Sequence, residues 1–545
     1  MENKQCKNCS HDFTIYPKDK EYYKKLNIPE PTFCPQCRQQ RRYAIRNERN
    51  LYKRVCDLCN KNIISMYSED KPFPIYCPDC WWSDKWDGAK YAQEFDFNRP
   101  FFDQFKELQD KIPRISLYLV RSENCEYCNF VGDVKNSYLI FGSVYSEDCM
   151  YGSPYYSKDC VDTLVLRDCE LCYECTDCRK LYGCKYCQDC YNSNDLSFCY
   201  DCQGCSDCIS CAGLRNKKYH IENKPVSKEE FEKFKASIDF CDKEKVKELQ
   251  QKLNKIKSEV PHHYMPNSNV ENVSGSHIYN SKNVFDSFFT DKSEDCAYCA
   301  QVVDLKDCYD NNYTEENELC CDYLGMYGTK YMAYSTFSRN AHFGYYSEYC
   351  INTQNTFGCS NIRNKENCIL NKSYSKAEYQ EMVEKIIEHM KKTGEWGEFF
   401  PISHSPFGYN ETVAHEYFPI TKEEAIQKGY LWEDPDPREY QPQTFDVPAH
   451  IKDAPDSIVN EVLACNECKK NYKIIAQELH FYKRMKLPIP TKCPNCRHQD
   501  RLALRNPYRL VERECDKCGT SIKTAYGKNR PGKVYCEKCY LEEVY

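Results

Sequence analysis

From Cys160 onward the chain keeps a rule that few folds can satisfy. Every third residue from Cys160 through Leu214 is Cys, Leu, Ser or Thr, and the phase holds over 54 residues. The positions between are mostly Asp, Glu, Lys, Tyr, Asn and Gly. A helix repeats every 3.6 residues and a strand every 2, so neither produces a period of three. A globular metal site does not require one either. A narrow β-solenoid does, because its short straight sides each point one residue into the lumen. Three sides of three residues predict a nine-residue coil in this stretch. That coil would stack Cys160, Cys169, Cys178 and Cys187 in one column, with Asp159, Asp168 and Asp177 in another outside it. Elsewhere the spacing is twelve, as in Cys125, Ser137 and Cys149, or Val284, Cys296, Cys308 and Cys320. A lumen this narrow is expected to admit Cys, Ser, Thr, Val and Ala but not large side chains.

A second array runs from about Asn267 to Lys372, with a slip expected between Cys321 and Tyr331. Both arrays finish alike: "AGLRNKKYHIENKPVSKEEF" aligns with "SNIRNKENCILNKSYSKAEY". The middle is therefore a duplication of solenoid and helix. Capping boxes start the helices, Ser227 with Glu230 and Ser375 with Glu378. In the first array, outer Asp residues are expected to cap backbone N–H groups at corners. Outer Tyr173, Tyr182, Tyr186, Tyr191 and Tyr200 are expected to pack as ladders, with a partner surface as the alternative.

The ends are built differently. Cys6, Cys9, Cys34, Cys37, Cys56, Cys59, Cys77 and Cys80 recur, each 459 residues later, as Cys465, Cys468, Cys493, Cys496, Cys515, Cys518, Cys536 and Cys539. Tyr23, Pro29, Arg38, Arg42, Arg46 and Arg54 recur at the same offset. Each module thus has four Cys-x-x-Cys pairs, enough for two four-thiolate zinc sites, and the chain for four Zn(2+) ions. Pro in "CPQC", "CPDC" and "CPNC" helps shape the turn. Full ligation by protein points to structural and not catalytic zinc. Spacing alone leaves sequential and interleaved pairing both open. The first forty residues or so of each module, including "YYKKLNIPEPTFCPQCR" and "FYKRMKLPIPTKCPNCR", resemble the probable zinc-ribbon domain family, with pattern C-x-x-C … F-Y-x-x-K … P-x-x-C-P-x-C-R. The N-terminal copy has Tyr22 where the pattern has Phe. The order of parts along most of the chain is similar to that of uncharacterised bacterial multi-zinc-ribbon proteins. That resemblance implies architecture and metal binding, with no established activity.

The expected fold class is mixed and mainly β. Its parts are a double zinc module (1–90), a connecting helix (91–120), β-solenoid 1 (121–224) and a helical segment (225–262). β-solenoid 2 (263–373), a helix (374–394), an aromatic, Pro-rich linker (395–458) and a second double zinc module (459–545) follow. No run of eighteen apolar residues exists to form a membrane helix. The start of the sequence lacks the pattern of a signal peptide. The expected compartment is therefore the reducing cytoplasm, where 41 cysteines must be explained mainly without disulfides. Structural, buried, reduced thiols are the first reading of the arrays; metal loading with Zn(II), Cu(I) or iron–sulfur clusters is the second, and disulfide ladders the third.

Between the two sites of each module, Arg38, Arg42 and Arg46, and again Arg497, Arg501 and Arg505, are spaced four apart. A helix would align each set in a stripe suited to phosphate, so nucleic acid or a ribonucleoprotein is the expected partner. The competing reading is a solvated or intramolecularly paired face. The aromatic linker carries His404, His415 and Glu416, but no nucleophile elbow, P-loop or HExxH accompanies them. The chain is thus read as a non-enzymatic zinc-binding protein. The alternatives are a protein scaffold using the solenoid faces and a thiol-rich metal-storage or redox protein.

Overall fold

The computed structural model describes residues 1–434, 439–530 and 532–544. It divides into two compact units: Met1–Leu117, Met265–Asp434 and Pro507–Val511 in one, and Tyr118–Tyr264, Pro435–Asn506 and Glu512–Tyr545 in the other. The N-terminal module therefore folds with the second array, and the C-terminal module with the first. Four residues of the expected linker, 435–438, lie outside the described residues, as do 531 and 545 of the C-terminal module.

Each array is one twelve-stranded sheet wound into coils, almost entirely parallel. The register decides the coil size. Leu164 pairs with Thr176 and Leu166 with Cys178; Leu196 pairs with Cys208 and Cys199 with Cys211. The coil is twelve residues here too, so the nine-residue coil expected in this stretch is corrected. The period of three stands, but a coil has four sides. Columns run through Cys175, Cys187, Cys199 and Cys211, and outside them through Asp177, Asp189 and Asp201. A shorter step, Val144 on Tyr155, resets the phase between Cys149 and Cys160.

The corner of nearly every triplet is a left-handed residue. Asp168, Leu171, Glu174 and Asp177, each just before an inward cysteine, have φ of 54°, 55°, 50° and 53°. Asp, Asn and Gly tolerate this region best, which is why they recur at these positions. Several corners stack as amide ladders: Asn340 Nδ2 donates to Asn352 Oδ1 (3.2 Å) and Asn352 Nδ2 to Asn364 Oδ1 (3.1 Å).

Inward side chains bond the lumen backbone. The Cys169 thiol donates to Arg167 O at 3.2 Å, as the Ser193 hydroxyl donates to Tyr191 O at 2.9 Å. The Ser157 hydroxyl also accepts the Cys169 N–H at 3.1 Å. Cys211 does the same work through sulfur, accepting Asn223 N–H at 3.4 Å. Burial pushes the thiols of Cys169, Cys350 and Cys359 up, favouring the neutral S–H form.

In the second array the twelve-residue register continues through Cys321 on Ala333, so no slip occurs there. Its lumen does admit large residues, correcting the size rule. Tyr323 is fully buried and donates from its hydroxyl to Ser338 O at 2.5 Å. Met332 fits because Gly344 faces it; a Cβ there would lie 2.9 Å from the sulfur.

Both arrays end on an equivalent asparagine. Asn223 binds Ala212 N and O (2.9 and 2.8 Å), and Asn371 binds Ser360 N and O (2.9 and 2.8 Å). Helices Lys228–Ala236 and Lys376–Thr393 follow, each opening on the expected capping box. The linker, up to Asp434, wraps the N-terminal module: Phe407 stacks on Tyr67 at 5.2 Å, and Ser405 donates to Ala44 O at 2.7 Å.

Candidate metal centres

Each end module brings its eight cysteines into two tetrads. Cys6, Cys9, Cys34 and Cys37 form one, and Cys56, Cys59, Cys77 and Cys80 the next. Cys465, Cys468, Cys493 and Cys496, then Cys515, Cys518, Cys536 and Cys539, repeat them. Pairing is sequential, which resolves the alternative that spacing left open. Within each tetrad all sulfurs lie within 4.8 Å of one another.

Local sequence explains each half of a tetrad. The first Cys-x-x-Cys is a knuckle at the tip of a two-stranded ribbon, such as Glu2–Gln5 against Asp12–Ile15. Cys6 O accepts from Ser10 N at 2.9 Å and Cys6 N donates to His11 O at 2.9 Å. The turn needs a left-handed residue after the second cysteine; Ser10, Asn60, Lys469 and Gly519 occupy it, at φ 61°, 59°, 64° and 74°. The second pair begins a helix. Cys34 caps Pro35–Tyr43 and Cys493 caps Pro494–Ala503, each with Pro in the first helical position. A helix N-terminus favours negative charge, hence thiolate.

The cross-pair contacts measure 3.8 Å for Cys9–Cys34 and 3.9 Å for Cys59–Cys77. They are 3.6 Å for Cys468–Cys493 and 3.8 Å for Cys518–Cys536. A tetrahedron with metal–sulfur bonds of about 2.3 Å has an edge of about 3.8 Å. The sulfurs also accept amide hydrogens: Cys34 N donates to Cys6 Sγ at 3.2 Å, Cys77 N to Cys56 Sγ at 3.2 Å, and Asn8 Nδ2 to Cys37 Sγ at 3.2 Å. The Cys37 thiol, against the opposing effect of burial, holds Cys34 down at about 5. The donor sets fit a thiophilic metal ion in each of the four clusters.

The six arginines expected on nucleic acid are buried and paired within the chain. Arg38, Arg42 and Arg46 are 1%, 0% and 3% exposed; Arg497, Arg501 and Arg505 are 4%, 1% and 5%. Arg38 Nε lies 2.9 Å from Asp310 Oδ2, and Arg42 binds Asp310 (3.2 Å) and Asp322 (2.5 Å). Arg46 pairs with Glu48 at 2.7 Å and stands over the Tyr313 ring at 4.4 Å. In the other unit Arg497 pairs with Asp162 and with Glu478 (3.4 Å), Arg501 with Asp162 (3.0 Å) and Glu174 (3.3 Å), and Arg505 with Asp177 (2.9 Å). Nucleic-acid contact through these six residues is therefore corrected: their charge holds each module to its array. Arg46 and Arg505 also lie past their helices, which end at Tyr43 and Ala503.

His404 and His415 do not assemble as a catalytic pair with Glu416. His404 stacks among Phe105 and Phe400 and bonds Gln109 Oε1 at 2.7 Å. Burial, then Lys106 and Arg114, push it down to about 3, so it is a neutral core residue. Glu416 lies 3.6 Å from Arg49.

One cluster escaped the sequence reading: Asp239, Cys241 and His450, whose ligand atoms lie within 4.8 Å of one another. They are 211 residues apart along the chain (450 − 239), with no motif to join them. His450 Nδ1 accepts from Lys452 N at 3.0 Å, so Nε2 carries the proton toward Asp239 Oδ2 at 3.2 Å. That makes a His–Asp pair, not a metal-ready imidazole.

No family model matches the chain, and no curated protein matches it. Among solved structures, a putative acetyltransferase from Desulfovibrio desulfuricans G20 is similar at 8% identity and a TM-score of 0.10, over 48% of this chain and 71% of that one. At that score it carries no argument. No described helix is long and apolar enough to cross a membrane.

Proposed function

We propose that the chain is a non-enzymatic zinc-binding protein of the cytoplasm, in which four Zn(Cys)4 sites shape the end modules and the solenoids present the binding surface. The observation that carries this reading is the set of four tetrads, each gathered within 4.8 Å and with a cross-pair sulfur contact of 3.6–3.9 Å. Borderline-soft Zn(2+) with no geometric preference of its own suits four thiolates and no open position. Stoichiometric zinc in protein purified under reducing conditions tests it.

With the arginine stripes withdrawn from nucleic acid, a protein partner is the better-supported ligand. Tyr145 and Tyr156 stack at 5.0 Å on successive coils and remain 52% and 43% exposed. Tyr182 is 51% exposed. Exposed tyrosines on a rigid sheet give contact area with little conformational entropy to lose. Replacing Tyr145 and Tyr156 by Ala is expected to abolish capture of a partner that survives nuclease treatment. A partner lost on nuclease treatment instead would restore the nucleic-acid reading through other residues.

A further inference from the structure

The lumen of the first array holds more thiol than its packing calls for. The second array has the same twelve-residue coil. Its lumen is filled in good part by Ser281, Val302, Thr314, Ser335 and Thr353, all buried. Sulfur is therefore not what this cross-section requires.

In the first array the lumen cysteines form one buried cluster that runs from Cys149 and Cys160 through Cys172, Cys175, Cys187, Cys190, Cys199 and Cys202 to Cys208 and Cys211. The twelve-residue register sets Cys199 beside Cys211 on the next coil.

The series ends under a histidine. His220 is in register with Cys208. Its Nδ1 lies 2.8 Å from Lys218 O. A carbonyl only accepts, so Nδ1 carries the proton and Nε2 holds the lone pair, the tautomer that binds metals. His220 is half-buried, whereas Cys205, Cys208 and Cys211 are buried. The imidazole thus stands at the mouth of the thiol column.

The contacts also select the ion. Among the described residues, no three lumen thiols come within 4.8 Å of one another as the tetrads do. Thiols clustered along a column without a tetrad suit a soft monovalent cation of low coordination number better than tetrahedral zinc. We propose that the first array's lumen takes up Cu(I), bound between neighbouring thiolates, with His220 at the entrance. Each S–H that becomes a thiolate ligand gives one proton to solvent, and no electron moves. Where each thiolate bridges two ions, one Cu(I) replaces one proton, so no net charge is buried. The lost S–H···O=C bonds oppose binding. Backbone N–H donors to sulfur, such as Lys217 N to Cys205 Sγ at 3.5 Å, favour the thiolate.

The test is anaerobic titration of the full reduced chain with Cu(I) as its acetonitrile complex. Copper and zinc are counted after a chelator wash, and the ultraviolet thiolate-to-copper band is recorded. The expected result is retained copper with zinc unchanged. Cys172→Ser, Cys187→Ser and Cys202→Ser together interrupt the column and should clearly lower the copper retained, while Cys241→Ser, outside the lumen, leaves it as in the parent chain. Ser already occupies lumen positions 157 and 193, so the triple variant keeps the backbone hydrogen bonds. Cys187→Ser alone, with zinc content and circular dichroism as fold checks, serves if the triple variant does not fold. Copper that binds only by expelling zinc, or that is unaffected by the lumen substitutions, overturns the proposal and leaves the zinc reading intact.

Discussion

Arg42 is fully buried between two carboxylates, and its removal leaves Asp310 with Arg38 alone and Asp322 with Arg41 alone, beside a buried void. Arg42→Ala is expected to destabilise the N-terminal unit by about 3–5 kcal/mol, read as a lower denaturant midpoint. Arg501→Ala should do the same in the other unit. The pH dependence follows from Asp322. Burial would raise its pKa, but Arg41 and Arg42 outweigh burial and hold it below the usual value. Its contribution is therefore fully present above the unfolded-state pKa of about 4 and is lost as pH falls through the lower folded value. Arg42→Ala should flatten acid unfolding over that range; an unchanged acid limb would show that the pair does not couple to folding. At this scale the sequence displayed the arginines but hid their partners. Asp310 and Asp322 sit 272 and 280 residues from Arg38 and Arg42 in turn (310 − 38, 322 − 42), and nothing local marks them as counter-ions.

Solenoid corners set the rules for the next scale. A residue just before an inward position is left-handed, and Asn352 there also bonds two neighbours in its ladder. Asn352→Val forces a β-branched residue into that region and removes both bonds. A cost of about 1–3 kcal/mol is expected, with Asn352→Gly costing less because glycine adopts the conformation freely. Thermal melts compare the two; equal losses would mean that the ladder, not the corner, carries the energy. The period of three was legible because inward and corner positions have such different demands. Coil size was not, since any multiple of three preserves the phase. Backbone pairing, as of Leu166 with Cys178 four triplets further on, is what fixes four sides.

The whole chain is a duplication folded crosswise. Tyr22 of the N-terminal module stacks on Tyr309 at 3.9 Å and donates to Cys320 O at 2.7 Å, both in the second array. Metal lost from the first tetrad should therefore loosen the array that is distant in sequence. In Cys34→Ser, hydrogen exchange is expected to rise across 265–373 and to stay slow across 118–225. The reverse pattern would mean that sequence neighbours, not the observed contacts, are coupled. The offset of 459 residues made the modules and all sixteen cysteines of their tetrads plain. Which array each module joins was not visible, because surface complementarity between duplicated parts leaves no periodic trace.

Zinc counting tests the central claim most directly. Elemental analysis of the reduced, purified chain should give four zinc ions, one for each tetrad. Cys34→Ser should lower the count by one. A chain without zinc, or one whose zinc content is indifferent to Cys34 and Cys493, would contradict the account.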